Sequence, residues 1–250
     1  MNPDHRHLLA RYDVPGPRYT SYPTVPYWTD SPTADQWIAH LRRQLDRGCD
    51  RHGQAPVGGA LYVHIPFCES LCTYCGCNTR ITRNRDAGAP YVDSLLEEWR
   101  LYRERLGVPF PLAELHLGGG TPTFLAPRDL GRLADGLSGT CQVLPDAEFS
   151  VEADPRVTNR EHLEALTSAG FRRLSLGIQD FDPRVQEAVH RVQTVDQVAE
   201  VVDSARSLGF GSINFDLIYG LPFQTLRSVE DTVAAVSRLR PDRKIGRAHV

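Results

Sequence analysis

Four cysteines lie close together in the first third of the chain. Cys68, Cys72, Cys75 and Cys77 fall within a stretch of ten residues. Separations this short bring several thiolates to one centre, and thiolates are the ligands that hold iron–sulfur clusters. The spacing therefore predicts an iron–sulfur site.

Three other uses of clustered cysteines fit this sequence less well. A zinc ribbon pairs two CxxC knuckles that are roughly a dozen or more residues apart, and the sequence has no second knuckle. Disulfides form in oxidising compartments, and nothing marks the chain as secreted. An electron-carrier ferredoxin uses evenly spaced CxxC steps in a short chain. The isolated Cys49 and Cys141 are interpreted as packing thiols.

The segment before the cysteines must position them. Residues 61–65 alternate apolar and polar side chains, which is typical of a strand with one buried face. Pro66 cannot donate a hydrogen bond to a neighbouring strand, so the strand is predicted to end there. A later strand-like segment runs into Gly118-Gly119-Gly120, and three glycines allow a ligand to approach the backbone closely. Taken alone, these glycines are equally consistent with a tight turn.

From residue 60 onward the pattern alternates between strands and helices. The predicted strands lie near 60–65, 112–117, 147–153, 172–179 and 212–218. The predicted helices cover roughly 90–106, 127–137, 158–169, 183–208 with a break, and 225–239, the third of them with a capping box that starts at Thr158. Such alternation predicts a parallel sheet with right-handed crossovers.

The predicted strands have one apolar and one polar face. The apolar face consists of Leu61, Val63, Ile65, Leu115, Leu117, Phe149, Val151, Leu174, Leu176, Ile178, Ile213, Phe215 and Leu217. The polar face consists of Tyr62, His64, Glu114, His116, Ser150, Glu152, Ser175, Gln179, Asn214 and Asp216. A parallel sheet that is covered on both faces is apolar on both. The polar face is therefore predicted to line a ligand-holding cavity, which a partial barrel provides.

Composition and charge exclude several classes of partner. The 250 residues are 41% hydrophobic and carry a net charge of −3, so neither a nucleic acid nor an anionic membrane is expected as a partner. We expect no signal peptide, and no apolar run in the sequence is long enough to span a bilayer. Clustered free thiolates favour a reducing compartment, so we expect a cytoplasmic protein.

The two ends of the chain differ from its centre. Residues 1–57 are predicted to form a proline-punctuated arm and a helix capped by Thr33, and residues 58–243 the barrel. The only lysine of the chain, Lys244, opens a segment 244–250 that matches the translation of a common sequencing adapter. We expect this tail to be non-native, the chain to be truncated at its C-terminus, and the strand at 213–218 to keep an unpaired edge.

The spacing Cys68-x3-Cys72-x2-Cys75 resembles the signature of the radical S-adenosylmethionine enzymes. In that family three cysteines hold three irons of a 4Fe–4S cluster, and the fourth iron binds S-adenosylmethionine. One electron then cleaves this molecule to methionine and a 5′-deoxyadenosyl radical, which abstracts hydrogen. The resemblance implies a partial (β/α)6-type TIM-like barrel, with five β/α units present here and an extended N-terminal arm.

Two longer segments narrow the resemblance. The stretch YVHIPFCESLCTYCGC at 62–77 and the stretch GPRYTSYPT at 16–24 resemble the oxygen-independent coproporphyrinogen III oxidases. This branch implies the oxidative decarboxylation of coproporphyrinogen III to protoporphyrinogen IX, in which two propionates become vinyl groups. A haem-chaperone-like branch of the same family is the alternative, although it usually has Phe at the position of Cys77.

The resemblance also implies roles for individual residues. Cys68, Cys72 and Cys75 would hold the cluster, whereas Cys77 would not. The cluster-bound S-adenosylmethionine would be held by Tyr62, Gly119, Gly120, Thr121 and Glu152. A second S-adenosylmethionine would be held by Tyr74, Gln179, Arg191 and Asp216. A flavodoxin- or ferredoxin-like reductant and a monomeric chain are also expected.

Overall fold

The computed structural model of the protein describes residues 7, 11, 27–45 and 58–248. It divides into two compact units, residues 1–41 and residues 42–250. The arm segment at 16–24 and Cys49 lie outside the described residues. The division at residues 57 and 243 stays a prediction.

The first unit contains the start of a helix, α1 (Ala34–Leu45). Its predicted cap is confirmed, because the Thr33 hydroxyl accepts from the amide of Gln36 at 3.3 Å. The Gln36 side chain accepts in return from the amide of Thr33 at 2.9 Å. Two amides that would lack a partner at the start of the helix are thereby satisfied.

The second unit alternates strands and helices as predicted. Its strands are β1 (Gly59–Ile65), β2 (Phe67–Cys68), β3 (Arg80–Ile81), β4 (Pro111–Gly119), β5 (Gln142–Ala153), β6 (Arg173–Gln179), β7 (Ser212–Tyr219) and β8 (Arg243–Ala248). Its helices are α2 (Gly88–Leu106), α3 (Pro127–Ser138), α4 (Arg160–Ser168), α5 (Pro183–Ala188), α6 (Val195–Ser207) and α7 (Leu226–Leu239). Short 3-10 turns lie at Arg85–Ala87 and Pro122–Phe124.

Six strands form one parallel sheet in the order β1-β4-β5-β6-β7-β8. The first five of them in this order are each followed by one or two helices, which confirms the five predicted β/α units of a partial barrel. A separate pair, β2 and β3, joins the two ends of the loop that carries the four clustered cysteines, which we call the cysteine loop. Loops that follow parallel strands all emerge at one edge of the sheet, so they are brought together there.

The apolar strand face forms the core, as predicted. Its members Ile65, Leu115, Leu117, Val151, Leu176, Ile178, Ile213 and Phe215 are fully buried. Helix residues such as Leu130, Leu133 and Leu163 are also fully buried. Burial of each such side chain stabilises the fold by about 1.5–3 kcal/mol. This core fixes the sheet, and the sheet in turn fixes the loops of the site.

The expectation that the strand at residues 213–218 keeps an unpaired edge is wrong. Strand β8 pairs with β7 in parallel, from Asn214↔Arg243 to Tyr219↔Ala248. All six residues of β8 are exposed. Sheet hydrogen bonds come from the backbone, so an extended segment can pair with an open edge without apolar side chains. The sixth strand therefore extends the sheet but adds nothing to the core.

The predicted cap of the third barrel helix is displaced by one residue. The carboxamide oxygen of Asn159 accepts from the amide of His162 at 3.1 Å, so Asn159 rather than Thr158 begins α4. The Thr158 hydroxyl is buried and donates to the carbonyl of Asp154 at 2.7 Å. Both residue types cap helices well, and here the turn before the helix decides which of them does so.

Candidate functional site

The cysteine loop leaves β1 at Pro66 and returns through β3. The Arg80 amide donates to the carbonyl of Pro66 at 2.7 Å, and the Thr82 amide donates to the carbonyl of Cys68 at 2.9 Å. These bonds close a loop that carries all four clustered cysteines. Every cysteine in the described part of the chain is a free thiol.

The four thiols have different surroundings. Cys72 is buried, Cys68 and Cys75 are half-buried, and Cys77 is exposed. Burial raises the pKa of Cys68. A hydrogen bond from the Cys77 thiol lowers the pKa of Cys75 to about 6, and the same bond raises the pKa of Cys77. The hydrogen bond therefore favours the thiolate form on Cys75 more than on the exposed Cys77, and thiolates are the form that binds metals.

The glycine loop at the end of β4 packs against the cysteine loop. The Gly120 amide donates to the carbonyl of Ile65 at 2.8 Å. A Cβ atom on Gly120 would lie 2.6 Å from the carbonyl oxygen of Pro66 and 2.9 Å from Cys68 Sγ. Gly119 has φ +116°, a conformation that favours glycine. The tight-turn alternative is thus insufficient, because the glycines also let the two loops touch.

A small cavity lies beside this contact. Its volume is about 110 Å³, and its lining includes Cys68, Thr121, Asp154 and Arg156. The buried Thr121 hydroxyl lies 3.4 Å from Cys68 Sγ. The first predicted ligand cysteine therefore faces a polar space rather than the core.

Polar side chains cross the first three strands of the sheet in a continuous row. The Tyr62 and His116 rings stack with centroids 5.6 Å apart, and His116 Nε2 lies 3.5 Å from Glu152 Oε1. Glu152 Oε2 accepts from the amide of Gly119 at 3.3 Å. Burial alone would raise the pKa of Glu152, but His116 and this amide outweigh it and hold the pKa below its ordinary value. Glu152 is thus an anion at neutral pH.

The row continues on β6 and β7. The Ser175 hydroxyl donates to Asp216 Oδ2 at 3.0 Å, and the side-chain Nδ2 of Asn214 donates to Asp216 Oδ1 at 3.1 Å. The Asp216 carboxylate is therefore held in place by its two neighbours. Asp216 is also the register partner of Gly177 across the two strands.

The predicted residues around a second ligand meet near Gly177. A Cβ atom on Gly177 would lie 2.9 Å from Gln179 Nε2 and 2.9 Å from Arg191 Nη2. Gln179 has φ 65°, which is uncommon for a residue with a side chain. Tyr74 packs against the core cluster that contains Val189, and burial raises the pKa of its phenol. Tyr74, Gln179, Arg191 and Asp216 are thereby brought to one region.

The sequence model for the Radical SAM superfamily matches residues 62–236. The chain belongs to this superfamily. It is 43% identical over 239 residues, 94% of this chain and 50% of the relative, to the oxygen-independent coproporphyrinogen III oxidase of Bradyrhizobium diazoefficiens. It is 42% identical over 238 residues, with the same coverage, to the enzyme of that name from Pseudomonas aeruginosa. The chain thus spans about half the length of the curated relatives it matches.

The known structures agree with the sequence relatives. Coproporphyrinogen III oxidase (HemN) from Escherichia coli, described as a radical SAM enzyme, has a TM-score of 0.83 and 36% identity. The match covers 98% of this chain and 52% of that one. The radical S-adenosylmethionine methyltransferase TsrM from Kitasatospora setae has a TM-score of 0.54 and 16% identity, over 76% of this chain and 34% of that one, and shares the fold. The predicted fold class is confirmed.

The donor set of this radical SAM chain fits a 4Fe–4S cluster. Within the described ranges, no group of three His, Cys, Asp or Glu side chains is arranged to hold a single metal ion. A cluster takes one thiolate per iron, so its ligands stand farther apart than those of one ion. Cys68, Cys72 and Cys75 on one loop offer one thiol to each of three irons, and the backbone of Gly120 lies directly beside Cys68.

Two residues of the radical SAM site were missed by the sequence prediction. Asp154 is buried at the end of β5, and Arg156 follows it in the loop. Their side chains form an ion pair with 2.7 Å between Arg156 Nη2 and Asp154 Oδ2. Their position just after the strand that carries Glu152 is the signal that could have found them.

Proposed function

We propose that this chain carries the cluster-binding and S-adenosylmethionine-binding part of an oxygen-independent coproporphyrinogen III oxidase. Its reaction would convert coproporphyrinogen III to protoporphyrinogen IX by turning two propionates into vinyl groups. The observation that carries the proposal is the 43% identity that extends over 94% of the chain. The cysteine loop and the polar strand row provide the matching chemistry.

The cluster ligands in this proposal are Cys68, Cys72 and Cys75. The bound cluster would supply the electron that converts S-adenosylmethionine to methionine and a 5′-deoxyadenosyl radical. The chain's own task is to hold the reacting molecules in place and to keep the thiols of one loop available. The pairing of β2 with β3 serves the second purpose, because it fixes both ends of the loop.

The cluster-bound S-adenosylmethionine would lie against Tyr62, Gly119, Gly120, Thr121 and Glu152. The glycines leave room for its amino-acid end, and the Glu152 carboxylate accepts hydrogen bonds from ribose hydroxyls. His116 and the Gly119 amide hold that carboxylate in one orientation. A pre-oriented acceptor loses less conformational entropy when the ligand binds.

A second S-adenosylmethionine is part of the proposal. Its contacts would be Tyr74, Gln179, Arg191 and Asp216; the side chains of Gln179 and Arg191 approach Gly177, whose register partner is Asp216. Hydrogen bonds from the side chains of Ser175 and Asn214 hold the Asp216 carboxylate in place. A monomeric, cytoplasmic protein that is reduced by a flavodoxin- or ferredoxin-like carrier completes the proposal. No described helix is both long enough and apolar enough to cross a bilayer.

Anaerobic reconstitution with iron and sulfide tests the proposal. The protein is expected to bind about four irons and to form 5′-deoxyadenosine from S-adenosylmethionine and dithionite. A version extended with the C-terminal region of a family member should also convert coproporphyrinogen III, because the chain spans about half of its relatives. The Cys72→Ala variant should lose the iron. The matched Cys141→Ala variant should keep it, because the Cys141 thiol donates to the carbonyl of Leu137 on α3, in another part of the sequence.

Two results would contradict the proposal in different ways. A reconstituted protein without iron would rule out the cluster site itself. An extended protein that binds the cluster and haem but leaves coproporphyrinogen III unchanged would belong to the haem-chaperone-like branch. Chromatographic analysis of the porphyrin products separates these results.

A further inference from the structure

A buried group of charges lies behind the cysteine loop. Asp154 Oδ2 accepts from Arg156 Nη2 at 2.7 Å and from Arg191 Nη1 at 3.0 Å. Asp154 and Arg191 are 6% and 8% exposed, so both charges are shielded from water. Buried charges must be paired and hydrogen-bonded, and one carboxylate here serves two guanidinium groups. The group retains one net positive charge.

The same two arginine nitrogens also reach a cysteine. Arg191 Nη1 lies 3.8 Å from Cys72 Sγ, and Arg156 Nη2 lies 4.0 Å from it. Cys72 is itself buried. The net positive charge of the group therefore faces the sulfur that is predicted to be the middle cluster ligand.

Backbone contacts fix both guanidinium groups. Arg191 donates through Nε and Nη2 to the carbonyl of Gly177 at 3.2 and 2.7 Å. Arg156 donates through Nη1 to the carbonyl of His190 at 3.4 Å. The amide of Thr73, next to Cys72, donates to the carbonyl of Val189 at 3.2 Å. The loops after β1, β5 and β6 are thus tied together around one sulfur atom.

We propose that Asp154 and Arg156 are positioning residues for the cluster: Asp154 aims Arg156 and Arg191 at Cys72 Sγ, and the N–H groups of Arg156 make the bound cluster easier to reduce. This inference rests on the proposed function, because it takes Cys72 as a cluster ligand. Hydrogen bonds to ligand sulfurs and nearby charge are among the factors that set the potential of such clusters. Reduction adds one negative charge, which a fixed cation stabilises.

The alternative is that Arg156 only holds the loops together. The two roles differ in what they do to the bound cluster. A purely structural arginine changes loop stability or iron content and leaves the reduction potential of the remaining cluster unchanged. A residue that donates toward the ligand sulfur changes the potential while the cluster stays bound.

The test is the midpoint potential of the reconstituted cluster, measured by anaerobic redox titration together with iron content. Arg156→Gln removes the charge and leaves Asp154 paired with Arg191. We expect full iron content and about a tenfold fall in the equilibrium constant for reduction, which is ~59 mV for one electron. Arg156→Lys keeps the charge but lacks the planar guanidinium group. The midpoint potential of its cluster should lie between those of Arg156→Gln and the wild type.

Arg160→Gln is the matched control. Arg160 is an exposed arginine on α4 that pairs with Glu164 at 2.8 Å, four residues from Arg156 along the chain. Its potential should equal that of the wild type. The inference would be overturned by an Arg156→Gln protein whose cluster has the wild-type midpoint potential. It would also be overturned if Arg156→Gln loses iron while Arg156→Lys keeps the wild-type midpoint potential. A wild-type protein that binds no iron would instead overturn the proposed function on which the inference rests.

Discussion

Glu152 is the residue whose replacement separates ligand binding from folding most sharply. The Glu152→Ala change removes a carboxylate that accepts from the Gly119 amide at 3.3 Å and faces His116 at 3.5 Å. At 3.3 Å this hydrogen bond is longer than an ordinary N–H···O bond, so it contributes less than a typical bond to a charged group, about 0.5–1.5 kcal/mol. The His116 pair adds about 0–1 kcal/mol, because the two side chains are 35% and 43% exposed and screened by water. The free energy of unfolding should therefore fall by about 0.5–2.5 kcal/mol.

The effect on S-adenosylmethionine binding should be larger. A hydrogen bond between a charged carboxylate and a ribose hydroxyl contributes about 1.5–3 kcal/mol. Each 1.4 kcal/mol changes a dissociation constant about tenfold. We therefore expect Glu152→Ala to weaken binding of S-adenosylmethionine to the reconstituted protein tenfold or more, with unchanged iron content.

The assay is anaerobic equilibrium dialysis with labelled S-adenosylmethionine, accompanied by urea unfolding of the same samples. Glu148→Ala is the control, because Glu148 is exposed and lies on the same strand as Glu152, an even number of residues away and thus on the same strand face. It stands four residues earlier, roughly 13 Å away at 3.3 Å per residue. Affinity within twofold of the wild type in a folded, iron-loaded Glu152→Ala protein would refute the reasoning.

Three further predictions concern the loops and the pH dependence of stability. Gly120→Ala should reduce the iron content after reconstitution, because the new Cβ would lie 2.6 Å from a backbone oxygen and 2.9 Å from Cys68 Sγ. Cys77→Ala should keep the iron content, because Cys68, Cys72 and Cys75 supply one thiolate to each of three irons and the exposed Cys77 is not needed as a ligand. Burial lowers the pKa of His162 in the folded state. In the unfolded state the His162 pKa is about 6.5, so below that pH the unfolded chain binds more protons than the folded one. The unfolding free energy should therefore fall as the pH drops from 7 to 5, by up to about 1.4 kcal/mol per unit.

Each of these predictions has a control within the chain. Gly131 lies on α3, and a Cβ added to it would have no atom within 4 Å. Gly131→Ala should therefore raise the free energy of unfolding by roughly 0.5–1 kcal/mol. Equal iron loss in both glycine variants would contradict the contact argument. Iron loss in Cys77→Ala would make Cys77 a ligand. His162→Gln keeps a residue that completes a capping box, and stability that still falls with pH to the same degree would show that another group titrates.

The local features of this protein followed from its sequence. The alternation of apolar and polar residues located the five strands, because burial of one strand face imposes a period of two on the sequence. The types and spacing of Cys68, Cys72 and Cys75 indicated thiolate chemistry, because neighbouring residues on one loop stay close in any fold. Gly118–Gly120 indicated a close approach of backbone to another group. These inferences needed no knowledge of distant contacts.

The corrections concern choices that local sequence leaves open. Thr158 and Asn159 can both cap a helix, and the turn formed by Asp154 decides between them. The pairing of β8 with β7 depends on backbone hydrogen bonds, which leave no pattern in side-chain type. A six-residue strand with every side chain exposed has no apolar periodicity to detect.

Only the tertiary structure revealed the charges behind Cys72. Arg156 and Arg191 are 84 and 119 residues from Cys72 in the sequence. Their approach depends on the register of β1, β5 and β6 and on the lengths of the loops that follow them. Sequence periodicity records which face of a strand is buried, because that preference acts residue by residue. It does not record which polar groups meet across three loops, because that is set by distances that arise only when the whole sheet has formed.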